Sequence, residues 1–300
     1  VGKALVPALQ DAGHRVVRLV RCETITPERS TEDPERSPEE TVQWQPTTGA
    51  IDLDALGAID AVVHLAGENV AGGRWTAARK QRIADSRGPT TEKLCNTLAG
   101  MARPPQVMVS ASGISIYGDR GDEQLDEDST LATQPDFLAE VAKQWELGTQ
   151  PLASDKTRIV NMRIGIVLTD NGGALARMLL PFRLGIGGRL GNGKHWMSWI
   201  SLHDLVRVIL RSLIDDELRG PINVVAPTPV SNREFTRTLG KVLRRPTVLP
   251  VPAFMLRLLL GELTDVLLGS QRACPCRLLA AGFEFAHADL ETALRSSLDK

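Results

Sequence analysis

Aromatic side chains are scarce in this sequence: 300 residues hold six phenylalanines, five tryptophans and one tyrosine. Tyr117 is therefore the one phenol that could work as an acid or base. Cysteine is scarce too. Cys22, Cys95, Cys274 and Cys276 do not make a disulfide framework in a chain this long, and the single C-x-C lacks a second ligand pair at zinc spacing. Reduced thiols, no metal and a cytoplasmic location are the expectation. Neither sign of charge is in excess, with 35 Lys and Arg against 36 Asp and Glu, so no nucleic-acid partner is expected. Long apolar runs are missing as well. The most apolar stretch, residues 248–268, is broken by Pro250, Pro252, Arg257, Gly261, Glu262 and Asp265; it is a poor bilayer span, and no membrane partner is expected.

What is present is a regular alternation of strand and helix. Candidate strands at residues 16–20, 60–66, 106–111 and 158–163 are separated by helical stretches at 76–101 and 137–149. That order implies an α/β fold, a Rossmann-type doubly wound parallel sheet with helices on both faces. Residues 1–170 read as this dinucleotide-binding domain. Residues 171–300 read as a substrate-side and mainly helical C-terminal region, some segments of which return to the sheet, including a short strand near 222–225 and a helix opened by the capping box Ser231-Asn232-Arg233-Glu234. The Pro-, Glu-, Arg- and Ser-rich run at residues 22–40 has no apolar period and reads as a surface loop beside the adenosine end of a cofactor. Val1-Gly2-Lys3-Ala4-Leu5 reads as the opening of a helix that follows a strand and glycine loop in such folds, which makes Gly2 a candidate last glycine of a phosphate-binding turn and places the rest of the motif before Val1.

Candidate site residues cluster at the C-terminal ends of the strands, where open α/β sheets bind ligands. Leu65-Ala66-Gly67-Glu68 follows one strand, and small residues there let a ligand lie against the backbone. Ser110, Ser112 and Tyr117 follow the next. The residue four positions after Tyr117 is Gly121 rather than a lysine, so no neighbouring cation is positioned by helical spacing to lower the phenol's pKa, and a packing role competes with an acid/base role. Glu68 would be a second acid/base candidate on the condition that the cleft favours its protonated form. Arg21, Arg87 and Arg163 each offer paired donors to phosphate or ribose. Arg21, just after a strand with Val20, stands where a 2′-phosphate would lie; an acidic residue would have favoured NAD(H). His203-Asp204 reads as a helix start rather than a metal site.

Taken together, His64-Leu65-Ala66-Gly67-Glu68-Asn69, Ser110-Ala111-Ser112 with Tyr117-Gly118-Asp119, Phe137-Leu138 with Trp145-Glu146, Arg163-x-Gly165-x-Val167-Leu168 and Trp199-Ile200-Ser201-Leu202-His203-Asp204 resemble the extended short-chain dehydrogenase/reductase superfamily. Within it they resemble the atypical, YfcH-like epimerase-family proteins, whose C-terminal module is similar to Leu249-Pro250-Val251-Pro252, Leu260-Gly261-Glu262 and Ala281-Gly282-Phe283. The resemblance implies NADP(H) as cofactor, NAD(H) being second choice, bound at Gly2, Val20, Arg21, Leu65, Ala66, Arg87 and Arg163. It implies Ser112 as the hydroxyl that orients a substrate oxygen, with Tyr117 as the candidate acid/base. The implied activity is an oxidoreductase or epimerase-like reaction on a small carbonyl, alcohol or sugar-like molecule, by a monomer or a homodimer. One departure stands out: the superfamily's Tyr-x-x-x-Lys pair is replaced by Phe137 and Val141. Neither titrates, which keeps a non-catalytic NADP(H)-binding or interaction protein as the alternative.

Overall fold

A computed structural model describes residues 1–22 and 40–298. The expected surface loop beside the adenosine falls on residues outside this set. In chain order the first half comprises α1 (Gly2–Asp11), β1 (Val17–Arg21), β2 (Glu40–Gln45), β3 (Ala50–Ile51), α2 (Leu53–Leu56), β4 (Ala61–His64), α3 (Ala77–Asp85), α4 (Gly88–Ala99), β5 (Val107–Gly113), β6 (Gln124–Leu125) and α5 (Phe137–Leu147). Then follow β7 (Arg158–Ile164), β8 (Ile166–Leu168), α6 (Gly173–Arg183), β9 (Trp196–Met197), β10 (Trp199–Ser201), α7 (Leu202–Ile214), β11 (Gly220–Val224), β12 (Val230–Ser231) and α8 (Asn232–Leu243). The chain continues through α9 (Ala253–Leu260), α10 (Leu263–Leu268), β13 (Arg272–Ala273), α11 (Cys276–Ala280) and α12 (Leu290–Leu298).

The central sheet is parallel and runs β11-β7-β5-β4. Alternation along β5 sorts its side chains to two layers. Val107 and Val109 join Leu205, Val208 and Ile209 of α7 and Leu5 and Leu9 of α1, while Met108 joins Leu94, Cys95 and Leu98 of α4 on the other face. Each of these buried Val, Leu, Ile and Met side chains contributes about 1.5–3 kcal/mol. A second sheet, β1-β2-β3, pairs β1 parallel to β2 and turns back through β3. The two sheets are not joined among the described residues. A cleft of about 1960 Å³ lies between them, flanked by Val17 to Val20 on one side and Ala61 to His64 on the other, with α1 along it.

Residues 199–224 return to the central sheet, β11 pairing with β7 while Ile200 of β10 and the buried face of α7 join its core, so one core is built from residues on both sides of position 170. A second apolar cluster forms beyond the sheet, where Leu175 and Phe182 of α6, Phe235 and Leu239 of α8, and Leu290 and Leu294 of α12 surround Trp199. The helix expected over residues 76–101 is two helices broken at Ser86 and Arg87. Pro89 in the first turn of α4 has no N–H to continue α3, Thr90 Oγ1 donates instead to the Asp85 carbonyl at 2.7 Å, and the chain leaves helical geometry at Arg87.

Candidate functional site

The C-terminal ends of β4, β5 and β7 form the edge where ligands meet open α/β sheets. After β4, Leu65 to Glu68 leave the sheet as a segment without regular structure, held by Arg87. Its guanidinium donates to the Glu68 carbonyl at 3.0 Å and the Ile83 carbonyl at 3.1 Å, and stacks 4.8 Å from the Trp145 ring. A side chain at Gly67 would press on that guanidinium at 3.2 Å. Burial lowers the Arg87 pKa to about 10, Glu68 opposing the shift. Arg87, expected to meet cofactor, thus carries the loop that would meet it. The Glu68 carboxylate sits 3.4 Å from Arg79.

His64, the last residue of β4, is buried, with its Nε2 3.0 Å from Thr91 Oγ1 and its ring edge-on to Trp44. Burial, helped by the charge of Arg21, lowers its pKa to about 4, so it is neutral near pH 7.

Ser112, Tyr117 and Arg163 are gathered into one buried network. Arg163 forms a two-pronged pair with Glu146, at 2.8 and 3.0 Å, and Ser112 Oγ donates to the same carboxylate at 2.9 Å. Nη1 of Arg163 donates to the Tyr117 hydroxyl at 2.9 Å and to the Glu127 carbonyl at 3.2 Å. The Tyr117 hydroxyl lies 2.9 Å from the Asp126 carbonyl and 2.8 Å from Asn223 Oδ1. Burial would lower the Arg163 pKa, but Glu146 raises it. Burial also raises the Tyr117 pKa, against the opposing charge of Arg163. Tyr117 is 0% exposed, so at neutral pH it is a protonated, enclosed phenol whose proton and one lone pair are engaged. That geometry gives it the packing part of the two weighed from the sequence. It also removes Arg163 from the ligand edge, because its charge is spent on Glu146. Ser112, 5% exposed, has its proton on Glu146 and keeps lone pairs to accept from a ligand.

Phe137 and Val141 pack with Ile83 and Leu138, and Trp75 meets the Phe137 ring edge-on at 5.2 Å. The positions to which the resemblance assigns the superfamily's titrating pair therefore form an apolar cluster.

Gly2, Val20, Leu65 and Ala66, drawn from three segments, all line the cleft between the sheets. Arg21 is exposed at the end of β1, beside that cleft. The N-terminal end of α1 has no acidic residue in its first turn to offset its positive dipole.

Three polar residues escaped sequence reasoning. Glu127 is 4% exposed and accepts the N–H groups of Asn223 and Arg277; burial raises its pKa against those bonds. Glu146 was visible only as half of the Trp145-Glu146 block. Asn223 sits in a strand whose pattern is otherwise apolar. His203, Asp204 and His287 bring potential ligand atoms within 4.8 Å of one another. Both Asp204 oxygens are already occupied, by Ser201 Oγ, Arg207 Nη1 and the N–H groups of Ala286 and His287, which makes it a clamp rather than a metal ligand.

Comparison with known proteins agrees with this architecture. Residues 1–225 match the NAD dependent epimerase/dehydratase family, and residues 251–297 match a domain of unknown function, DUF1731. An epimerase family protein of Mycobacterium bovis, Mb2239, is 40% identical over 98% of this chain and 93% of its own. The Bos taurus epimerase family protein SDR39U1 is 35% identical over 98% of this chain and 95% of its own. The crystal structure of human SDR39U1 isoform 2, solved with NADPH, superposes with a TM-score of 0.87 at 31% identity, covering 100% of this chain and 96% of that one. With the parallel sheet, its ligand edge and these matches, the chain belongs to the NAD-dependent epimerase/dehydratase family of short-chain dehydrogenase/reductase proteins, in the branch that carries a DUF1731 domain.

Proposed function

We propose that this protein binds NADP(H) and acts as an oxidoreductase or epimerase-like enzyme on a small carbonyl, alcohol or sugar-like substrate. The observation that carries the reading is that Gly2, Val20, Leu65 and Ala66 border one cleft, with the Arg21 cation at the end of β1, in a chain so similar to a protein crystallised with NADPH. The residues fit the group. Arg21 would pair with a 2′-phosphate, the positive end of α1 would face the pyrophosphate, and the small residues after β4 would let the dinucleotide lie against the backbone. When bound, the nicotinamide supplies hydride chemistry. The protein's own part is positioning: Arg87 fixes the Leu65 to Glu68 segment, and Ser112, its proton held by Glu146, accepts a hydrogen bond from a substrate hydroxyl.

The cleft between the sheets also bears on cofactor affinity. It runs from Val20 and Ala66 at the ligand edge to Asp60, Gln106 and Asp216 at the opposite end of the strands, and its flanks, β1 and β4, are each the end strand of their sheet among the described residues, with room between them for one further parallel strand. We infer that a strand and glycine loop placed there complete the nucleotide site. The test is fluorescence titration with NADPH and NADH of this chain and of one extended at Val1 by the corresponding residues of a relative. Tighter NADPH than NADH binding by the extended chain supports the reading; no binding by either chain refutes it.

One observation favours a second reading, a non-catalytic NADP(H)-binding protein. Phe137 and Val141, which the resemblance sets at the positions of the titrating pair, are packed among apolar side chains, and Tyr117 is enclosed. NADPH binding without turnover of a panel of aldehydes, ketones and nucleotide sugars would select it. Turnover that falls in Ser112→Ala with unchanged NADPH affinity would select the enzyme.

A further inference from the structure

Apolar side chains project into solvent from the end of α6, from residues 248–249 and from α9. Leu180, Leu184, Val248, Phe254, Leu258 and Leu259 are all between 63% and 84% exposed. These segments are neighbours. Arg245 Nε donates to the Arg183 carbonyl at 2.9 Å, and the strap leading to α9 exchanges backbone hydrogen bonds with the chain after α6, Val251 N to the Arg189 carbonyl at 2.8 Å and Gly191 N to the Val251 carbonyl at 2.9 Å. In α9 only Leu256 is buried, so a helix of strongly apolar sequence leaves most of its surface unpartnered. A patch of this kind marks an interaction site.

The charges around it identify the partner. Residues 171–194 and 241–261 together carry eight Lys or Arg and no Asp or Glu, in a chain whose net charge is -1. Arg183, Arg244, Arg245 and Arg257 are exposed among the apolar side chains. Arg257 is paired with Asp265 and Lys241 with Glu291, both acids from outside the two stretches. A second copy of the chain docked through the same face would set this cationic rim against itself, which opposes association. An anionic bilayer satisfies both halves of the pattern: projecting Phe and Leu side chains enter the boundary between headgroups and acyl chains, while arginines meet lipid phosphates.

We propose that the face formed by the end of α6, residues 246–251 and α9 docks on the surface of a membrane rich in anionic phospholipid. The expectation of no membrane partner concerned spanning segments, and among the described residues no helix is long and apolar enough to cross a membrane; adsorption at the interface requires no span. The face adjoins the ligand edge, since Arg177 of α6 donates to the Ala71 carbonyl and Lys80 pairs with Glu262 at 2.5 Å.

The test is co-sedimentation of the full chain with vesicles of phosphatidylcholine alone and of equal parts phosphatidylcholine and phosphatidylglycerol, with light scattering to give its mass. Expected are partitioning onto the anionic vesicles at least about tenfold stronger than onto the neutral ones, weakened by salt, and a loss of about tenfold or more in Phe254→Ser/Leu258→Ser and in Arg244→Glu/Arg245→Glu. All four positions are exposed, so circular dichroism of the variants should match the parent. Absence of binding to either vesicle overturns the proposal, as does binding that both variants retain. A dimer that Phe254→Ser/Leu258→Ser converts to a monomer overturns it in favour of an interface between copies.

Discussion

Replacing Glu146 with alanine would leave the Arg163 guanidinium, 4% exposed, without the carboxylate that neutralises it. Two hydrogen bonds to Glu146 disappear, and the Ser112 hydroxyl loses its acceptor. The remaining partners of Arg163, the Tyr117 hydroxyl and the Glu127 carbonyl, are neutral and do not offset a buried cation. Breaking one side of such a pair costs about 3–5 kcal/mol, and with a Tm shift of about 2–4 °C per kcal/mol the melting temperature should fall by about 6–20 °C. Removing both charges as Glu146→Leu/Arg163→Met takes away the uncompensated ion, and the double variant should regain most of the loss. Urea unfolding followed by circular dichroism measures all three proteins. A Glu146→Ala cost below about 1 kcal/mol, or a double variant no more stable than the single, would refute the reading of this network as a buried pair holding β5, β7 and α5 together.

Three further expectations follow from the same geometry. His64 has a folded pKa of about 4, below its unfolded value of about 6.5. The unfolded state therefore binds more protons between those values, and about 3 kcal/mol of stability present above pH 6.5 should drain away as pH falls toward 4; urea midpoints that fall as steeply in His64→Gln would sink this assignment. A methyl group at Gly165 would fall 2.5 Å from the Ser198 carbonyl and 2.8 Å from Val225, so Gly165→Ala should cost more than about 2 kcal/mol by overpacking backbone against backbone, and an unchanged thermal melt would contradict it. The Cys95 thiol is buried and pushed up to about 12 by burial, so it should resist a thiol reagent in the native protein and react on unfolding; prompt native modification mapped to Cys95 by mass spectrometry would count against the packing of α4 on β5.

The parallel sheet was legible because its strands are runs of β-branched and apolar residues ending in small or polar ones, and Val107–Gly113 and Arg158–Ile164 fall within two residues of the positions read from sequence. The capping box at Ser231 was equally local, with Ser231 Oγ accepting from Glu234 N at 3.2 Å. The strand Glu40–Gln45 was missed because its buried residues, Val42 and Trp44, are embedded in polar sequence. At the site, sequence placed Ser112, Tyr117 and Arg163 near one another, but the strand ends alone do not reveal that Glu146, on a helix, turns Arg163 inward. Which of several arginines faces a ligand depends on where their acids lie in space.

Asp204 divides the molecule differently from the family boundaries. It lies within the segment matched by the epimerase family, yet two of its acceptor positions are filled by backbone amides of residues 286 and 287, in the segment matched as DUF1731. Leu290 and Leu294, from that same segment, pack in the cluster around Trp199. Cutting the chain near residue 250 would bare a buried anion at the start of α7 and strip one wall from a core. The two regions are separable as sequence matches, but they share one buried carboxylate and one apolar cluster, so neither should unfold without the other.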